Sequence, residues 1–187
     1  MSDFVDEFFD QNPISQLGLL VAKNKRAEVL SDLTGNIQKL KDGLNAVREA
    51  GCDGEFSLQN ALRVALQTLK YPSHSSREML IICSSLSTCD PDDIMITLKE
   101  LKKLKIRCSF ICLAEVYVFK LISEETSGTY SVLLDEEHLK NVLWTHAIPP
   151  VVPVKDLDSN LIRMGNCTVI YVLCNPLHST FYIRKLC

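Results

Sequence analysis

A mainly parallel α/β sheet flanked by helices is the fold class this sequence predicts, and three observations carry it. Apolar runs of strand length alternate with stretches of helical periodicity along most of the chain. The links between them are short and built from turn residues and helix caps. The runs are apolar throughout, with no alternation of apolar and polar residues, as expected for strands covered on both faces.

The elements follow in order. Phe4, Val5, Phe8 and Phe9 fall on one side of a helix that begins almost at Met1, and QNPIS breaks it. QLGLLVA, residues 16–22, is a buried strand, and EVLSDLTG adds an edge strand ending at Gly35. Ile37, Leu40, Leu44 and Val47 keep helical spacing up to Gly51, and Ser57 then caps the most regular amphipathic stripe, Leu58, Ala61, Leu62, Ala65, Leu66 and Leu69. EMLIICSS, residues 78–85, is a buried strand. After it, Asp90 is expected as an N-cap with Pro91 at the first helical position, leading a helix through Ile94, Leu98 and Leu101 to a basic turn at Lys102, Lys103 and Lys105. KIRCSFICLA is the next strand, and Val116 to Glu125 the next helix, which Gly128 is expected to close. GTYSVLL is a further strand, and Asp135 caps a helix carrying Leu139, Val142, Leu143 and Ala147. Pro149, Pro150 and Pro153 end this domain, residues 1–150. Residues 151–187 read as a linker and divergent tail, with one apolar run, TVIYVLC, to which no role is assigned.

Composition narrows the function classes. The chain has 187 residues, 47% of them apolar and 23% charged, enough for one domain with a real core. A formal charge of −3 supplies no overall field toward nucleic acid or anionic lipid. MSDFVDEFFD has no secretory pattern and no apolar run approaches membrane-spanning length, so the eight cysteines are expected to be reduced, intracellular core thiols. The basic stretch LKELKKLKIR lacks interleaved aromatic residues and reads as a solvated helix face.

Chemistry is sought at the carboxyl ends of the strands, where open parallel sheets bind ligands. No GxGxxG, GxxxxGK[ST] or GxSxG motif occurs there. His74, His138, His146 and His178 are scattered, and Cys167, Cys174, His178 and Cys187 have irregular spacing for a zinc site. Asp90, Asp92 and Asp93 read as cap and dipole partners before they read as cation ligands. The residues therefore assemble no active site, and no enzyme activity is expected.

Four segments then carry a specific resemblance: FFDQNPISQLGLLVAKNKRAEVLSDLTGN, FSLQNALRVALQTLK, SSREMLIICSSLSTCDP and EETSGTYSVLLDEEHLKNVL. They resemble the von Willebrand factor A-like core subunit family of TFIIH, the subunits that bind and stimulate the XPD-type DNA helicase. The resemblance runs from about Phe4 to Pro150, with a last trace at LIRMG, residues 161–165. It implies a non-catalytic subunit in the nucleus, acting in nucleotide excision repair and RNA polymerase II initiation. Its implied partners are the XPD-type helicase and other TFIIH core subunits, with DNA met only indirectly and no membrane. The wider von Willebrand A family often carries a metal site built from DxSxS, a Thr and a later Asp. This chain has no DxSxS, reads Ser84, Ser85 and Leu86 where the acidic residue is expected, and offers only Ser57 near the Thr position. No catalytic, cofactor or metal residue is therefore expected in this chain, and zinc only in downstream modules that it lacks. The partner-binding residues implied are Ser85, Ser87, Thr88, Asp90 and Asp93, on the loop after the EMLIIC strand. The family's first, central strand has no counterpart before Phe4, which predicts two half-sheets with exposed inner edges. The alternatives are a truncated form without independent function and a metal-dependent ligand-binding A domain.

Overall fold

A computed structural model of the chain describes residues 2–50, 54–70, 76–148 and 167–174. Helix α1 (Ser2–Gln11) leads into strand β1 (Gln16–Lys23), which turns at Asn24 and Lys25 into the antiparallel edge strand β2 (Arg26–Thr34). Both turn residues have positive φ, 49° and 60°, as a two-residue hairpin of the twist-matched kind requires. Helices α2 (Ile37–Ala50) and α3 (Leu58–Leu69) follow, then β3 (Ser76–Cys83), α4 (Ile94–Lys103), β4 (Arg107–Cys112), α5 (Tyr117–Glu125), β5 (Tyr130–Val132), α6 (Glu136–Ala147) and β6 (Cys167–Cys174).

The six strands form one sheet in the order β2-β1-β6-β3-β4-β5, parallel except at the β1–β2 hairpin. The expected half-sheets with open inner edges are not found. The run TVIYVLC, left without a role by sequence, is β6, and it lies between β1 and β3 in the middle of the sheet. Thr168–Cys174 pair with Gln16–Ala22 on one side, and Cys167–Cys174 with Ser76–Cys83 on the other. The physical reason is the cost of the alternative: unpaired N–H and C=O groups on two buried strand edges, with no water to satisfy them.

Alternation along the strands sorts their side chains into two cores. Met79, Ile81 and Cys83 of β3 and Ile170 and Val172 of β6 face α3, α4 and α5. Leu80 of β3 and Val169 and Tyr171 of β6 face α1, α2 and α6, where Phe4, Phe8 and Leu143 pack. Tyr171 is 1% exposed and meets the Phe4 ring edge-on at 5.3 Å. On the other face Phe110 stacks on Phe119 at 5.2 Å. Asn12, also buried, fastens α1 to α6 by donating from Nδ2 to the Phe8 and Ala147 carbonyls at 3.0 and 2.7 Å. Cys83, Cys108 and Cys112 are buried free thiols, as expected, and burial pushes Cys108 and Cys112 up to about 12, so they pack as small apolar groups. Cys89 is exposed.

Two local expectations are corrected. Gly128 does not close α5. Ser127 takes the left-handed position at φ 58°, while the Gly128 and Ser127 N–H groups donate back to the Ser123 and Glu124 carbonyls at 2.8 and 3.3 Å, the Schellman pattern. Gly128 is needed for close approach, because a Cβ there would stand 1.8 Å from the Cys108 carbonyl oxygen. Nor does Asp90 cap α4. That helix begins at Ile94, and Asp93 is its cap, its side chain accepting from Met95 N–H at 2.9 Å. The run of aspartates concealed the right one, since Asp90 has another helix to cap.

Candidate functional site: the loop after β3

Residues 84–93 leave the carboxyl end of β3 and fold over the amino terminus of α3 before α4 starts. A helix amino terminus leaves backbone donors without intrahelical partners. Here they are met largely by oxygens from a distant part of the chain. Thr88 Oγ1 accepts from Leu58 N–H at 2.8 Å and Asp90 Oδ1 from Gln59 N–H at 2.8 Å, while Ser57 Oγ accepts from Asn60 N–H at 3.3 Å. The Ser57 hydroxyl donates in turn to Asp90 Oδ1 at 3.0 Å. The carboxylate thus sits on the positive end of the α3 dipole with two donors on one oxygen.

Gln59 completes the joint, and the sequence reading overlooked it. Its side chain is fully buried; its carbonyl accepts from Asp92 N–H at 2.9 Å, and its amide donates to the Asp93 carbonyl at 3.1 Å and Thr97 Oγ1 at 3.4 Å. The available signal was a glutamine beside the apolar stripe of α3, two residues after the cap. Cys89 N–H donates to the Phe56 carbonyl at 2.8 Å, and Arg63 pairs with Asp92 at 3.2 Å on the surface. The β1–β2 turn reaches the same region: Asn60 Nδ2 donates to the Lys25 carbonyl at 2.7 Å, and Lys25 pairs with Glu55 at 2.7 Å. That contact raises the lysine and lowers the glutamate from their ordinary ranges.

The five residues singled out by resemblance therefore lie together on one loop but play unequal parts. Thr88, Asp90 and Asp93 spend their side-chain oxygens on helix caps, and buried Ser85 donates to the Ser87 carbonyl at 2.7 Å. Ser87 faces solvent beside Leu86, which is 65% exposed. Two neighbouring strands end in similar fashion, with Tyr117 75% exposed after β4 and Leu134 84% exposed after β5. The other polar candidates lie elsewhere. His138 is in the first turn of α6, where its N–H is capped by Asp135 at 2.7 Å, and His146 shares a hydrogen bond of 3.1 Å with Thr129. Cys167 and Cys174 end the central strand, whereas His74, His178 and Cys187 fall outside the described residues.

A parallel sheet with one antiparallel edge hairpin, three helices on each face and a functional rim at the strands' carboxyl ends defines a von Willebrand factor A-like domain. Solved domains of that kind superpose on it: the VWA domain of SpRpn10 (TM-score 0.59, 16% identity, covering 80% of this chain and 82% of that one), and the von Willebrand factor type A protein from Catenulispora acidiphila (TM-score 0.65, 12% identity, 79% and 37%). The profile of the family described as Ssl1-like matches residues 1–167, and the chain belongs to that family. It is 46% identical over 189 residues to General transcription factor IIH subunit 2 of Caenorhabditis elegans, covering all of this chain and 48% of that protein. It is 48% identical over 164 residues to the protein of the same name in Arabidopsis thaliana, covering 87% and 38%. The chain thus spans half or less of the length of these relatives.

The metal site common among A domains does not fit the residues present. Asp90 Oδ1 and Ser57 Oγ are already engaged, and both sit among N–H donors at the positive end of a helix, where a cation is repelled. Among the described residues no group of three or more His, Cys, Asp or Glu side chains is close enough to hold a metal ion.

Proposed function

We propose that this chain is the A-domain part of a non-catalytic TFIIH core subunit, which in the nucleus binds and stimulates the XPD-type helicase for nucleotide excision repair and transcription initiation. The observation that carries this reading is the 46% identity with General transcription factor IIH subunit 2 along the whole chain. The loop 84–93 is the docking element. Ser85, Thr88, Asp90 and Asp93 hold its shape, and Ser87 with Leu86 meets the partner. A loop fixed by several hydrogen bonds to a rigid helix loses little entropy on binding, which favours its use as an interface. An exposed leucine at its tip supplies the apolar anchor that interface centres generally need.

The test uses the purified chain and an XPD-type helicase, with binding measured by calorimetry and stimulation by DNA-dependent ATPase turnover. The wild-type chain is expected to bind and to raise turnover. Leu86→Arg and Ser87→Arg are expected to weaken binding by about tenfold or more, roughly 1.4 kcal/mol, without lowering the melting temperature. A folded chain that neither binds nor stimulates refutes the assignment, and full affinity in both variants removes this loop from the interface.

A further inference from the structure

β6 alone joins the two halves of the sheet. β1 pairs with β2 and β6, β3 pairs with β4 and β6, and β1 and β3 are not neighbours. Both edges of β6 are satisfied along its length, and its side chains enter both cores. Yet among the described residues the only covalent tie between β6 and the rest of the sheet is the eighteen-residue stretch 149–166. The other five strands are each flanked on both sides in the chain by elements that belong to the same packed body. The family match also ends at residue 167, where β6 starts. The walls of the gap between β1 and β3 are therefore matched family residues, and the strand that fills it comes almost wholly from residues beyond them.

We propose that the gap between β1 and β3 is a strand-binding site that accepts β6 from a second copy of this chain as well as from its own, producing strand-exchanged dimers. An exchanged β6 meets the same backbone partners and the same two side-chain layers, so the exchange costs no specific contact inside either body. Main-chain pairing on both edges supplies affinity, and the alternating Val169, Ile170, Tyr171 and Val172 supply selectivity. Eighteen residues span up to about 60 Å when extended, ample to deliver the strand to a neighbouring copy. Leaving the middle of a sheet requires both edges to open, so exchange is slow and grows with protein concentration. This inference does not depend on the helicase reading.

Two full-length variants test it. Ile170→Asp spoils the strand and leaves the gap intact; Leu80→Asp, at the β3 position in register with Tyr171, spoils the gap and leaves the strand intact. Each alone is expected to lose its cooperative thermal transition. Mixed in equal amounts with a tag on one copy, they are expected to co-purify and to regain a transition of about half the wild-type amplitude, since only one body is repaired. Neither variant is expected to be rescued by more of itself. A synthetic peptide of residues 166–176 is added to Ile170→Asp in parallel. If the peptide restores the transition but the Leu80→Asp copy does not, the second-copy occupant is wrong. If neither restores it, or if Ile170→Asp alone melts like the wild type, the gap is not an exchangeable strand site.

Discussion

Replacing Asp90 with alanine separates the two accounts of the aspartate cluster, because they assign the loss to different helices. Oδ1 accepts from Gln59 N–H at 2.8 Å and from the Ser57 hydroxyl at 3.0 Å, and the substitution removes both at a partly buried helix end. Hydrogen bonds to a charged acceptor contribute about 1.5–3 kcal/mol each, and loss of an N-cap costs about 0.5–2 kcal/mol. Because water reaches part of the site, the lower ends apply, giving about 2–3 kcal/mol in total and a fall of roughly 5–10 °C in Tm for a chain of this size. Asp90→Asn keeps an oxygen acceptor in the same place and should cost under about 1 kcal/mol. Hydrogen exchange followed by mass spectrometry locates the damage. Amides of residues 58–61 should lose protection, while those of residues 95–99 in α4 stay protected, because Asp93 still caps that helix. Lost protection confined to α4, with α3 unchanged, refutes the cross-chain cap.

Two further substitutions probe the rest of the fold. Gly128→Ala drives a methyl group to within 1.8 Å of the Cys108 carbonyl, so the β4–β5 link must shift; a loss of about 3 kcal/mol is expected by chemical denaturation, and an unchanged midpoint contradicts the close approach. Burial, and then the Arg107 charge, push His146 from 6.5 down to about 4, leaving it neutral in the fold. Between pH 6.5 and 4 the unfolded chain then holds more protons than the folded one, so stability falls as pH falls across that window and is untouched above it. The ceiling is about 3 kcal/mol at roughly 1.4 kcal/mol per pH unit, and less for a half-buried ring. His146→Gln should flatten this part of the pH profile, and an unaltered slope assigns it to other groups.

What the sequence disclosed and what it withheld follow from the range of the interactions. Local periodicity sufficed for the helices: Phe4, Phe8 and their neighbours in α1, and the Leu58–Leu69 stripe of α3, lie on the predicted faces. Ser57 and Asp135 cap the predicted helices because those caps act within three residues. Asp90 was misread because its partners are some thirty positions earlier in the chain, and no spacing rule connects them. Gly128 looked like a helix stop, but its constraint is the carbonyl of Cys108 twenty residues away. TVIYVLC was the hardest case, since a uniformly apolar run announces a buried strand without naming its neighbours. The loop after β3 was found through resemblance; the division between residues that shape it and residues that face outward required the hydrogen bonds.

The central claim is that residues 168–173 form the middle strand of the sheet, and their amide exchange tests it most directly. With carbonyl partners in β1 and β3 on either side, these amides should exchange as slowly as those of β3 and only through global unfolding. Exchange within seconds across residues 168–173, while β1 and β3 stay protected, would contradict the central strand and with it the strand-exchange site.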